Sequence, residues 1–168
     1  MVILGIDPGY AIVGYGIIEF KGNKYSYRDY GAILTTPKDD FLTRLELIFN
    51  RTNELIETFN PEVVSIEKLY FQNNQKTAID VAQARGVILL SAKKHNLPVY
   101  EYTPLQIKSA VTGYGKAEKI QVMSMVKRLL SLKEIPKPDD TADALAAAIC
   151  HVNSLGRHYI DNLILKAK

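Results

Sequence analysis

The chain has 168 residues, 47% of them hydrophobic and 23% charged, with a formal net charge of +3. That length suits one globular domain with a full core and is too short for two, and the composition excludes a disordered or low-complexity chain. No apolar run reaches the ~20 residues of a membrane span and no basic-then-apolar leader opens the chain, so the expected setting is the cytoplasm, without membrane contact.

Residues 2–6 form a short apolar, β-branched run stopped by Asp7-Pro8-Gly9, which predicts a buried strand. Strands are expected over 12–20 and 25–34, joined as a hairpin by the Lys21-Gly22-Asn23 turn. Leu42, Leu45, Ile48, Leu55, Ile56 and Phe59 then recur at helical spacing. They predict an amphipathic helix over about 39–59, capped by Asp39 or Asp40 and ended before Pro61. A fourth strand covers 63–66 and ends at Glu67. The next helix, over about 75–95, is Ala-rich and contains Gly86, small residues that suggest close packing despite the cost of Gly in a helix. A fifth strand at 98–102 precedes three helices, over about 104–111, 118–131 and 140–153. Asp139 is read as the N-cap of the last. The order β-β-β-α-β-α-β-α-α-α predicts an α/β fold: a five-stranded mixed sheet with helices on both faces. Residues 154–168 carry apolar side chains without an evident packing partner and are expected to form a tail, a frayed helix with no assigned role.

Charge is unevenly spread. Residues 1–60 carry −2, residues 61–92 are neutral, residues 93–137 carry +6 and residues 138–168 carry −1. The basic stretch runs directly into Asp139, Asp140 and Asp143. Such a block is either a solvated surface or a phosphate-binding rim.

Three acidic sites share one property, their place relative to the predicted elements. Asp7 ends the first strand, Glu67 ends the fourth, and Asp140 and Asp143 lie three apart on the first turn of a helix, hence on one face. Strand ends and a helix terminus meet at one edge of such folds, where ligands commonly bind. Four converging carboxylates repel and raise one another's pKa values, and hard divalent cations such as Mg²⁺ relieve that repulsion. Singly, each residue also has a structural reading: Asp7 as a turn residue, Glu67 as a solvated strand end, Asp140 as favourable first-turn charge. Asp143 fits that reading worst, because it opens the apolar run Ala144–Ile149 and a buried carboxylate needs a partner.

Other motifs fail. Gly113-Tyr114-Gly115-Lys116 imitates a phosphate loop, but Ala110 stands where its first Gly is required and Ala117 replaces the Ser/Thr. The single Cys150 can form neither an intrachain disulfide nor a cysteine zinc site, and His95, His151 and His158 lack metal-ligand spacing and read as surface or structural residues. No Ser or Cys nucleophile signature is present.

Taken in order, Gly5-Ile6-Asp7-Pro8-Gly9, Gly14-Tyr15-Gly16, Ile66-Glu67 with Tyr70-Phe71, Gln83-Ala84-Arg85-Gly86, Ile107-Lys108, Ala117-Glu118-Lys119 and the run Asp140–Ala146 resemble the RuvC-type Holliday junction resolvases of the ribonuclease H-like superfamily. The resemblance covers the first residue to about 152, so a nuclease domain is expected over 1–153 and a tail over 154–168. It implies that Asp7, Glu67, Asp140 and Asp143 are the catalytic set and bind two Mg²⁺ ions, with Mn²⁺ as a substitute. It places Tyr70 where the family has a base-contacting aromatic, with Phe71 one residue later, and puts Lys108 and Lys119 near the DNA backbone; Arg85 and Lys116 are further candidate DNA contacts. It implies a homodimer acting on four-way junction DNA beside the RuvA and RuvB branch-migration proteins. An actin-like ATPase shares a Gly-Ile-Asp-x-Gly strand end, but it needs two domains around its nucleotide and 168 residues cannot supply them. The presence of all four carboxylates argues against a junction-binding protein that has lost catalysis.

Overall fold

The computed structural model describes residues 1–69 and 75–166. The strands are β1 (Val2–Asp7), β2 (Ile12–Lys21), β3 (Lys24–Leu34), β4 (Val63–Glu67) and β5 (Val99–Tyr102). The helices are α1 (Phe41–Phe59), α2 (Gln75–Lys94), α3 (Pro104–Thr112), α4 (Lys119–Leu129) and α5 (Asp139–Lys166). The element order is the predicted one.

The sheet runs β3-β2-β1-β4-β5. β1 pairs antiparallel with β2, and β2 with β3, through the Gly22-Asn23 hairpin, where both residues have positive φ. β4 and β5 add in parallel beyond β1, each after a crossover helix. β1 is buried on both faces, and its period-2 alternation divides the core in two. Ile3 packs with Ile107, Val122, Leu145 and Ile149 from α3, α4 and α5. Leu4 and Ile6 pack on the other face with Ile48 and Ile56 of α1 and Ile88 of α2. Each fully buried aliphatic side chain contributes about 1.5–3 kcal/mol.

Helix α5 lies almost on the sheet itself. The space a Cβ would need at Gly5 is taken by the carbonyl of Ala144, and the buried Ser65 hydroxyl donates to Ala147 O at 2.6 Å. Ala144, Leu145, Ala147 and Ala148 thus face the sheet, and the whole run Ala144–Ile149 is buried because α3 and α4 cover the helix on its other side.

Helix ends follow their capping chemistry. Asp40 is the N-cap of α1, accepting from Leu42 N at 3.0 Å and Thr43 N at 3.1 Å, and Asn60 closes the helix in the left-handed region before Pro61. Asp139 is not the cap expected from sequence. The bond from Thr141 N to Pro138 O, 3.0 Å, starts the turn one residue earlier and leaves Asp139 as the first helical residue. Gly86 marks no close approach either, since a Cβ there would meet nothing; Ala84, fully buried, is the tight contact of α2. α5 does not stop near 153 but continues to Lys166. His151 is buried, its Nδ1 2.8 Å from the Tyr102 hydroxyl. Among the described residues no helix is long and apolar enough to cross a membrane.

Candidate active site

Asp7 is the last residue of β1 and Glu67 the last of its parallel neighbour β4, whose register pairs Ile6 with Ile66. Both side chains therefore leave the same edge of the sheet on the α5 face. The first turn of α5 brings Asp140 and Asp143 to that edge, both half-buried. The spacing read from the sequence thus becomes a spatial cluster.

The electrostatics report how close the groups are. Burial pushes the Asp7 carboxyl up to about 8, and the charges of Glu67, Asp143 and Asp140 add to the rise against an opposing pull from Lys119. Burial likewise raises Glu67 to about 7, with Asp143 adding to it and Lys108 and Lys119 countering. Asp143 is raised by burial although Lys119 bonds to it. Lys119 answers in kind: burial disfavours its ammonium form, but Asp143 and Asp139 overcome that and raise its pKa. Its Nζ lies 3.0 Å from Asp143 Oδ2 and 3.4 Å from Asp139 Oδ2. A cleft of about 150 Å³ opens beside two of the four, lined by Glu67, Pro104, Ile107, Lys108, Lys119, Val122 and Asp143.

Among the described residues no three acidic, His or Cys side chains close around a common point suited to a metal ion. The carboxylates stand near enough to repel, and the cation set among them is the Lys119 ammonium. The chemistry of the donors still fits a hard divalent ion: all are carboxylate oxygens, and burial first, then mutual repulsion, holds two of them near or above neutrality.

Lys108 and Lys119 line the cleft, and Lys116 is exposed on the loop between α3 and α4. Arg85 is elsewhere engaged. Its guanidinium pairs with Glu101 of β5, its side chain is only 17% exposed, and its Nε is buried with no hydrogen-bond partner among the described residues. Tyr70 and Phe71 lie outside the described residues. The Lys119–Asp143 contact is the relationship that sequence reasoning missed; no spacing rule links the start of α4 to a carboxylate 24 residues on, at the start of α5.

A mixed sheet in the order β3-β2-β1-β4-β5, with acidic side chains gathered at one end beneath α5, defines a ribonuclease H-like protein. The family model for crossover junction endodeoxyribonuclease RuvC matches residues 3–151. A crossover junction endodeoxyribonuclease RuvC of Halothermothrix orenii is 58% identical over 154 residues, covering 92% of this chain and 93% of the relative. The structure of Thermus thermophilus RuvC in complex with Holliday junction substrate superposes with a TM-score of 0.88 at 37% identity, covering 92% of this chain and 94% of that one. The yeast mitochondrial Holliday junction resolvase Ydc2 shares the fold, with a TM-score of 0.66 at 18% identity over 94% of this chain and 82% of that one. The chain belongs to the RuvC family of crossover junction endodeoxyribonucleases, which implies a nuclease dependent on a divalent metal.

Proposed function

We infer that the chain is a structure-selective endonuclease that resolves four-way (Holliday) DNA junctions by paired symmetric nicks, in homologous recombination and DNA repair. The observation that carries this reading is the carboxylate cluster at the ends of β1 and β4, flanked by lysines on the wall of one cleft. Asp7, Glu67, Asp140 and Asp143 would hold two Mg²⁺ ions, or Mn²⁺ in their place, which when bound supply Lewis-acid activation of water and of the scissile phosphodiester.

The chain's own residues do the rest. Lys108 and Lys119, on the cleft wall, draw in the phosphate and offset its charge. The burial that raises Asp7 and Glu67 also limits water at the reacting centre, and it leaves both carboxylates in need of the positive charge that bound cations would supply. Water oxygen adds to phosphorus and the bond to the 3′ oxygen breaks, leaving a 5′ phosphate and a 3′ hydroxyl. An aromatic at position 70 or 71 stacks on an unpaired base, worth about 1–3 kcal/mol.

A four-way junction presents two equivalent strands, which a homodimer with two such sites matches. RuvA and RuvB are the partners that deliver the junction, and the setting is the cytoplasm, where the chromosome lies. Residues 1–153 carry the nuclease.

Asp7→Asn tests the reading. It should abolish cleavage of a synthetic four-way junction in Mg²⁺ while leaving junction binding intact; equal cleavage by variant and wild type sinks it. Three-way and linear duplex DNA in the same assay separate a resolvase, which cuts the four-way form preferentially, from a general nuclease, which cuts all three.

A further inference from the structure

Gly113-Tyr114-Gly115-Lys116, the segment that imitates a phosphate loop, forms the connection between α3 and α4. Its two ends both enter the active-site cleft, through Lys108 on α3 and Lys119 at the start of α4. Lys119 follows Tyr114 by five residues, so their backbones lie at most about 18 Å apart along the chain. A strand seated in the cleft therefore lies within reach of the loop that carries residue 114.

The backbone here is firmly tied. Gly113 caps α3 in the left-handed region with its N–H on Ser109 O at 2.9 Å. The Thr112 hydroxyl accepts from Tyr114 N at 3.2 Å and lies 3.0 Å from Tyr114 O and 2.8 Å from Lys108 O. Ala117 N donates to Tyr114 O at 3.1 Å. On this tied backbone the Tyr114 side chain is 60% exposed, and Leu105, whose side chain packs under Gly115, is 62% exposed. A large ring on a fixed backbone costs little entropy to dock, and an exposed apolar shelf beside three lysines is complementary to nucleic acid, with charge for the phosphates and a face for sugars and bases.

We propose that Tyr114, on the Leu105–Gly115 shelf, contacts the DNA strand that runs through the active site, packing its ring on a base or deoxyribose face. This rests on the endonuclease reading and adds to it a contact outside the carboxylate and lysine set. Lys116, two residues on and exposed, meets the phosphate next to that contact.

The test is binding of a fluorescent four-way junction in EDTA, so that nothing is cut. Tyr114→Ala should bind about fivefold more weakly or worse, with an unchanged salt slope because no charge is lost. Tyr114→Phe should keep wild-type affinity, and so should Tyr27→Ala, which removes an exposed tyrosine from β3. The chain has no tryptophan, so the emission of Tyr114→Trp reports this site alone and should be quenched when junction is added. Wild-type affinity in Tyr114→Ala, with its melting temperature unchanged, overturns the proposal. Should wild type bind the four-way junction no better than linear duplex, the resolvase reading fails, while a Tyr114→Ala defect on both DNAs upholds the contact.

Discussion

Gly14 lies against the main-chain carbonyl of Asp140, with no room between them for a Cβ. Gly14 is also the residue paired with Asp7 in the β1–β2 register. One residue therefore sets how close the first turn of α5 comes to the end of β1, and with it the spacing of Asp7 from Asp140 and Asp143. In Gly14→Ala the helix start must lift or the strand must bend. We expect a loss of about 1–3 kcal/mol in denaturant unfolding, as for overpacked cores. Cleavage should fall further, about a hundredfold, because misplacing the proposed catalytic carboxylates by an ångström would be that costly. A variant that is destabilised but cuts at the wild-type rate would show that the spacing is not set here.

The raised carboxyls make stability without metal depend on pH in a defined sense. Asp7 moves from an ordinary 3.8 to about 8, and Glu67 from 4.5 to about 7, so the folded chain holds protons that the unfolded chain has released. Their contribution is present at acid pH and lost as pH rises through about 7 to 8. His151 works the other way: burial lowers its pKa below the ordinary 6.5, favouring the folded state as pH rises toward that value. Between about pH 7 and 8 the unfolded imidazole has mostly lost its proton too, so the falling contribution of the carboxyls dominates there. The melting temperature in EDTA should therefore fall from pH 7 to pH 8, the fall should shrink in Asp7→Asn, and a divalent cation should abolish it. Calorimetric melts across that range check all three.

Lys116 carries an exposed charge without the ties that hold Lys119. If it meets a phosphate, Lys116→Ala should weaken junction binding without changing DNA selectivity. It should also lower the slope of log affinity against log salt by about one. Binding isotherms between low and moderate salt measure both.

The site was legible where local signals mark it. Pro8-Gly9 ends β1 directly after Asp7, Glu67 closes the strand run Val63-Val64-Ser65-Ile66, and Asp143 interrupts a stretch of alanines too apolar for a solvated face. What stayed hidden depends on packing between distant segments. Gly14 and Gly16 could be read as part of a motif, but not as the surface on which Asp140 and Leu145 rest. The turn at Pro138 takes over the capping role assigned to Asp139 because the carbonyl of a neighbour, not a side chain, begins the helix. Sequence alone ends this helix near 153 because residues 154–168 offer no evident packing partner there, whereas α5 continues to Lys166.

Arg85 separates a structural role from a DNA contact by experiment. Its ion pair with Glu101 ties α2 to the edge strand β5, and its Nε is buried with no hydrogen-bond partner among the described residues, so burial lowers its pKa. Arg85→Met keeps the aliphatic stem and removes the charge. If the pair ties the two elements together, a double-mutant cycle of Arg85→Met with Glu101→Gln should give a coupling of about 1 kcal/mol in unfolding free energy. The salt slope of junction binding should then be unchanged. If Arg85 turns from Glu101 to a phosphate when DNA binds, the slope drops by about one, and Glu101→Gln tightens binding by freeing the guanidinium. Unfolding curves and salt titrations on the same three variants decide between them.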